Sequence, residues 1–313
     1  MGRRPLWIWA CVLVCAHSGV ALAAKPTHRG PFAVGEIFIH FTDTSRTVTF
    51  PGQRPQPRPL ETVIRYPALG SASRVVVRDG RPARADGPFP LIVFAHGFNV
   101  TPTTYASLLQ AWARAGYVVA APVFPVTNAN APGGANESDL VNQPRDMSFV
   151  ISRLLARDRD RHSVLAGLIR RHEIAVTGQS DGGSTALAVA YNGQFVDHRI
   201  RAAMILSGAE IPGVGGYDFS VLSPPLLAVQ GTADTSNAPA STYRYFNLAP
   251  QPKFLLSLLG AGHLPPYTTA QPQLTIVERE TTAFLDRYLK GMPGARSRMW
   301  KDGKVSGVAT LTD

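Results

Sequence analysis

The stretch Glu173-Ile174-Ala175-Val176-Thr177-Gly178-Gln179-Ser180-Asp181-Gly182-Gly183 decides how this chain is read. Its opening residues are largely apolar, as a buried strand requires, and the run from Gly182 to Tyr191 reads as a helix. Between them a serine stands in the pattern G-x-S-x-G, which carries meaning only on such a strand-to-helix turn. There the hydroxyl projects above the sheet edge, and neighbouring backbone comes too close for side chains at Gly178 and Gly182. The helix opening at Asp181 aims free N–H groups, and the positive end of its dipole, at an oxygen reacting beside Ser180. Ser180 is the candidate nucleophile. The alternative is a serine that only caps the helix.

Outward from this turn, strand-like and helix-like runs alternate. Leu91 to Ala95 and Tyr117 to Ala121 are continuous apolar runs, as expected of strands covered on both faces. Further strands are predicted at Arg201 to Leu206, Pro225 to Gln230 and Lys253 to Leu259, and helices at 103–115, 144–157 and Gln273 to Lys290. Such alternation implies parallel strands joined by right-handed crossovers. Before it, Val34 to Phe50 alternates in two runs about Asp43-Thr44-Ser45, which predicts an antiparallel hairpin, and Glu61 to Tyr66 is another strand. Pro51 to Pro59 and residues 78–90 read as loops, as does the polar stretch from Pro125 to Gln143. The fold class is α/β: antiparallel N-terminal strands, then a doubly wound, mostly parallel sheet with helices on both faces. Residues 25–313 are expected to form one domain with its core over about 34–290, and 291–313 stay open between a short strand and a loose tail.

The first two dozen residues follow a different logic. Arg3 and Arg4 precede an apolar run from Leu6 to about Cys15, and Ala21-Leu22-Ala23 offers the small residues a signal peptidase reads. A signal peptide over 1–24 and a secreted or periplasmic chain are expected; the alternative, a membrane anchor, needs about 20 apolar residues. Both cysteines, Cys11 and Cys15, fall in this leader, so the mature chain has no thiol for a disulfide or a metal. The net charge of +10 favours anionic surroundings, but the arginines are scattered and no nucleic-acid module accompanies them, so no nucleic-acid partner is expected.

A serine hydroxyl needs a base. His263 follows the last predicted strand on the glycine-rich turn Gly260-Ala261-Gly262, where an imidazole can fold back over the sheet edge. The other histidines stand before the sheet, at helix ends or at a strand start, and His96 reads as a structural element of its loop. The acid that orients His263 is Asp234, which ends a strand through the turn Gly231-Thr232-Ala233, with Glu210 as its rival. Asp181 offers its backbone N–H to the oxyanion.

Four motifs, Phe94-Ala95-His96-Gly97-Phe98, Gly178 to Gly183, Gln230-Gly231-Thr232-Ala233-Asp234 and Gly260 to His263, resemble those of the α/β-hydrolase superfamily in order and spacing. Within it the chain is similar to secreted esterases related to platelet-activating-factor acetylhydrolases, dienelactone-hydrolase-like proteins and cutinase-like polyester hydrolases, over residues 34–290. The resemblance implies the α/β-hydrolase fold, the chain order serine, acid, histidine, and a second oxyanion donor at the backbone N–H of Phe98. Two departures stand out. Asp181 occupies a place where polyester hydrolases usually carry methionine, and Ser180 one where dienelactone hydrolases carry cysteine.

The resulting expectation is a serine esterase working without cofactor or metal, on a small-molecule or polymeric ester. A polyester or acylated cell-wall polymer is the alternative substrate, and a non-catalytic binding protein on the same fold is the alternative function. No membrane span is expected after processing, and the oligomeric state stays open.

Overall fold

The chain enters its sheet through β1 (Ala33–Val48) and β2 (Gln56–Ala68), which pair antiparallel along their length. The computed structural model describes residues 1–2, 31–220 and 223–313. The leader expected over 1–24 lies outside these, apart from Met1 and Gly2, and so do both cysteines.

The hairpin expected inside Val34 to Phe50 does not form; β1 runs straight through that region. The Asp43 carboxylate accepts the Ser45 N–H (2.9 Å) and hydroxyl (2.6 Å), and the β1–β2 register shifts between Asp43 and Thr47. A side chain that binds backbone two residues on makes a local turn, and here that turn is absorbed as a bulge. The chain reverses only after Val48. The Pro-rich stretch read as loop also contributes, since Gln56 to Pro59 belong to β2. Strand β5 pairs only with Thr62 to Arg65, so Pro57 and Pro59 lie where their missing N–H groups break no ladder.

The next elements follow in order: β3 (Val76–Arg78), β4 (Phe89–Ala95), α1 (Ala106–Arg114), β5 (Val118–Pro122), α2 (Gln143–Arg159), β6 (Ile169–Gln179) and α3 (Asp181–Tyr191). Then come β7 (Ile200–Leu206), β8 (Leu226–Gly231), α4 (Pro239–Leu248), β9 (Lys253–Leu258), α5 (Gln273–Tyr288), α6 (Ala295–Asp302) and β10 (Ala309–Thr312). They build one sheet in the order β10-β9-β8-β7-β6-β4-β5-β2-β1-β3. Strands β5, β4, β6, β7, β8 and β9 are parallel, flanked by antiparallel β2 and β10.

Strand β4 shows why its sequence is apolar throughout. Leu91, Val93 and Ala95 face one core with α2 and α3, while Ile92 and Phe94 face the other with α1 and α5. Successive side chains point to opposite faces, and helices cover both, so no position tolerates a polar group. The fold is the α/β-hydrolase type.

Residues after 290 are integral to it. Met299 and Ala295 of α6 are buried, and β10 pairs with β9, Leu311 opposite Leu256. Nearby, Glu280 of α5 is fully buried, and neither carboxyl oxygen has a hydrogen-bond partner among the described residues. Burial, with a smaller push from Asp302, raises its pKa from an ordinary 4.5 to about 9. The unfolded chain thus releases this proton near pH 4.5 while the folded chain keeps it, so stability falls as pH climbs through that window. The slope reaches about 1.4 kcal/mol per pH unit. Glu280→Gln is expected to flatten it, read as urea midpoints between pH 5 and pH 8; parallel slopes for parent and variant would contradict the assignment.

Candidate active site

Strand β4 lies between β5 and β6, so the chain crosses to opposite sides of β4 after leaving it, and a crevice opens at that switch. The loop after β4 carries Gly97 and Phe98, and the turn after β6 carries Ser180. The loops after β8 and β9 bring Asp234 and His263 to the same edge.

Ser180 has φ 58° and ψ −124°, a conformation L-residues avoid. The glycines around it make this possible. A methyl on Gly178 would collide with the Gly182 carbonyl, and one on Gly182 with the Ala95 carbonyl. One on Gly183 would stand 2.8 Å from Gly208 Cα. Helix α3 is thereby pressed against the ends of β4, β6 and β7, and its first residue, Asp181, has no intrahelical acceptor for its N–H.

The loops of Asp234 and His263 are fitted to each other in the same way. A methyl on Gly231 would approach the Ala261 and Gly262 carbonyls at 2.5 and 2.7 Å. The Ala233 N–H donates to Ala261 O (2.9 Å) and the Gly260 N–H to Thr232 Oγ1 (2.8 Å). The missing side chain at Gly231 thus lets two turns share one space.

The side chains converge. His263 Nε2 lies 2.7 Å from Ser180 Oγ, and His263 Nδ1 lies 2.8 Å from Asp234 Oδ2. Asp234 is buried, and its Oδ1 accepts the N–H groups of Ser236 (2.9 Å) and Asn237 (3.0 Å). Those bonds fix the orientation of the carboxylate, so the imidazole proton belongs on Nδ1 and the lone pair of Nε2 faces Ser180. Glu210, the rival acid, is half-buried and not bonded to His263.

The sequence and the fold have counterparts. The sequence pattern of the chlorophyllase family matches residues 74–238, just over half of the chain. The chain belongs to the chlorophyllase family. It is an esterase-type α/β-hydrolase, as the four motifs implied. A ferulic acid esterase from Streptomyces cinnamoneus superposes with a TM-score of 0.63 at 22% identity, covering 86% of this chain and 93% of that one. That likeness is one of fold. No curated protein matches the chain.

The family match covers the loops of Phe98, Ser180 and Asp234 and ends before His263. Within it, His96 is fully buried and shapes its loop. Its Nδ1 donates to Gly97 O (2.8 Å), and its Nε2 accepts the Phe124 N–H (3.0 Å). Burial, only partly offset by the Gly97 bond, lowers its pKa from 6.5 to about 4, so it stays neutral. Phe98 exposes its ring at the surface.

Asp181 differs from its surroundings. Its side chain is buried, and Oδ2 has no hydrogen-bond partner among the described residues. Burial first, then the charge of Glu137, raises its pKa to about 6. Glu137 lies between β5 and α2, in the polar stretch from Pro125 to Gln143. That loop is fixed in place: Gln143 donates to Thr127 Oγ1 (2.8 Å) and accepts from Thr185 Oγ1 (2.6 Å).

Sequence reasoning missed two further polar residues here. Gln179 is buried inside the quoted motif, and Tyr105 is fully buried in the turn before α1. Gln179 was legible only as the variable position of G-x-S-x-G, and Tyr105 as one more core aromatic.

Proposed function

We propose that this chain is a serine esterase that cleaves carboxylic esters through an acyl-enzyme, with Ser180 as nucleophile, His263 as base and Asp234 as the orienting acid. The unbroken line from Ser180 Oγ through the imidazole to Asp234 Oδ2, 2.7 and 2.8 Å, carries this reading. Within hydrogen-bond reach, Nε2 takes the hydroxyl proton as Oγ attacks the ester carbonyl. Asp234 stabilises the imidazolium that results. The carbonyl oxygen, now negative, is held by the backbone N–H groups of Asp181 and Phe98. His263 then returns the proton to the leaving alcohol, and water repeats the sequence to free the acid. The test is hydrolysis of short p-nitrophenyl esters by the purified chain and its Ser180→Ala variant.

The Asp181 carboxyl stands on the residue whose N–H serves the oxyanion. Above its raised pKa of about 6 it is an anion beside a second developing anion. Asp181→Asn is expected to raise kcat/KM at pH 8 about three- to tenfold, the range of up to one pKa unit of charge interaction, and to leave pH 5 values near the parent's. The same ratio at both pH values would count against this role.

Export is part of the proposal. It rests on Arg3-Arg4, the apolar run to Cys15 and Ala21-Leu22-Ala23. Among the described residues no helix is long and apolar enough to cross a membrane. N-terminal sequencing of the exported chain is expected to begin near Lys25.

The ferulic acid esterase's name is that of an ester hydrolase, which supports the reaction class. An acylated polymer is a second reading, favoured by the exposed Phe98 ring on the loop proposed to bind the oxyanion and by the net charge of +10. Release of acid from insoluble polymer, compared with soluble esters of the same acyl group, separates the two.

A further inference from the structure

We propose that Gln179 is a positioning residue for ester hydrolysis, its amide locked by Tyr105 so that one hydrogen-bonded chain joins the Gly97–Phe98 loop to His263. The inference rests on the reading of Ser180 and His263 as nucleophile and base.

The chain of bonds has a fixed direction. Tyr105 Oη accepts the Gly97 N–H (3.2 Å) and lies 2.7 Å from Gln179 Oε1. A phenol has one proton, and an amide oxygen only accepts, so that proton goes to Gln179. Burial pushes the Tyr105 phenol pKa well up, so the proton stays available. With Oε1 committed to Tyr105, the amide nitrogen must face the other way. There Nε2 donates to the His263 backbone carbonyl (3.0 Å) and stands 3.4 Å from His263 Nε2.

The bonds to Ala233 and Thr232 hold the His263 loop at Ala261 and Gly260, and His263 itself, beyond Gly262, needs a further tether. Gly260 (φ +66°) and Gly262 flank Ala261, and a methyl on either glycine would meet nothing within 4 Å. Backbone of that kind is free to move unless something holds it. A shift of about 1 Å in a reacting group costs about 10²-fold in rate. Gln179 supplies the hold from the residue directly before the nucleophile, so Ser180 and His263 are referenced to one point.

The other end of the chain reaches the proposed oxyanion site. Gly97 precedes Phe98, and its space is filled by the same network. A methyl on Gly97 would stand 3.1 Å from both Gln179 Oε1 and Tyr105 Oη and 3.2 Å from Ser180 Cβ. The absence of a side chain at Gly97 is what lets the loop close on Gln179 and Tyr105.

The test uses Gln179→Met, which keeps the length of the side chain without the amide's N–H donors and oxygen, Tyr105→Phe, which removes one oxygen, and the double variant. Each single variant is expected to lower kcat 10- to 100-fold on a short p-nitrophenyl ester with KM changed less than threefold. The double variant should be no slower than the worse single one, because Tyr105 acts through Gln179. Thermal melting identifies any variant that fails to fold; Tyr105→Phe, the smaller change, then carries the test. Single variants within threefold of the parent's kcat, a loss confined to KM, or multiplied losses in the double variant would overturn the proposal. Fluorophosphonate labelling of the parent at Ser180 is read alongside. If labelling fails, the esterase reading is at fault; if it succeeds while the variants stay fast, only the role of Gln179 is.

Discussion

Ser180→Ala is expected to lower kcat on a short p-nitrophenyl ester about 10⁴-fold or more, with the variant as stable as the parent. The size follows from the loss of a covalent route: triad knock-outs in serine hydrolases generally cost at least this much, because the remaining groups act as a unit. Without Oγ, His263 has no hydroxyl to deprotonate and only a water to activate, which nothing holds in line with the ester carbonyl. The proposed oxyanion donors, the N–H groups of Asp181 and Phe98, would still polarise that carbonyl, so a residual rate above background should persist. Alanine keeps the Cβ and the same strained backbone, so the packing of Gly178, Gly182 and Gly183 is undisturbed. The measurement is steady-state kinetics with active-site titration by a fluorophosphonate, which should label the parent and not the variant. A variant that turns over at the parent's rate removes Ser180 from the chemistry.

Much of this site could be read from the chain because its demands are local. A serine on a positive-φ turn needs small neighbours where the helix meets β4 and β6, and Gly178 and Gly182 announce that need in sequence. Gly231 does the same for the turns that bring Asp234 and His263 together, and Gly260 supplies the positive φ of the second turn. The parallel strands were legible for a related reason. Burial on both faces leaves β4 and β5 apolar at every position, a pattern no loop imitates.

The remainder depends on contacts between distant segments. Helix α4 has the sequence Pro239-Ala240-Ser241-Thr242-Tyr243-Arg244-Tyr245-Phe246-Asn247-Leu248, with only Thr242, Tyr245 and Phe246 buried. So narrow a stripe does not declare a helix. In α6 only Ala295 and Met299 are buried, and what holds it is packing against α5 and the pairing of β10 with β9. Gln179 and Tyr105 are 74 positions apart, and neither has a partner that could be guessed from spacing. The polar network that Arg58 makes with Asp139 and Asp146 was hidden in the same way, inside a stretch whose prolines signalled a loop.

That network should carry the largest single contribution from a polar side chain, and Arg58→Ala is expected to cost about 3–5 kcal/mol of stability. Arg58 is 1% exposed on β2 and binds two carboxylates at once. It donates to Asp139 at 3.0 and 2.5 Å and to Asp146 at 2.8 and 2.7 Å. Burial alone would pull the Arg58 pKa down, but the bonds to Asp146 and then Asp139 more than reverse this and hold the guanidinium charged. Arg46 adds a second cation, bonded to Asp146 and Asp43 at 2.7 Å each. Removing Arg58 leaves Asp139 without a cation and Asp146 with Arg46 alone, both in a desolvated setting where an unpaired carboxylate is costly. Arg58→Lys keeps the charge but not the planar fork that spans both acids, so it should lose part of the same stability. Urea denaturation at neutral pH measures both; a loss below about 1 kcal/mol for Arg58→Ala, the scale of an exposed ion pair, would show the network to be incidental. The consequence reaches the site, because Asp139 lies two residues from Glu137, whose charge acts on Asp181. Loosening Asp139 frees the loop to move Glu137 away from Asp181. The pH at which Asp181→Asn begins to outpace its parent should therefore fall when the comparison is made in an Arg58→Lys background.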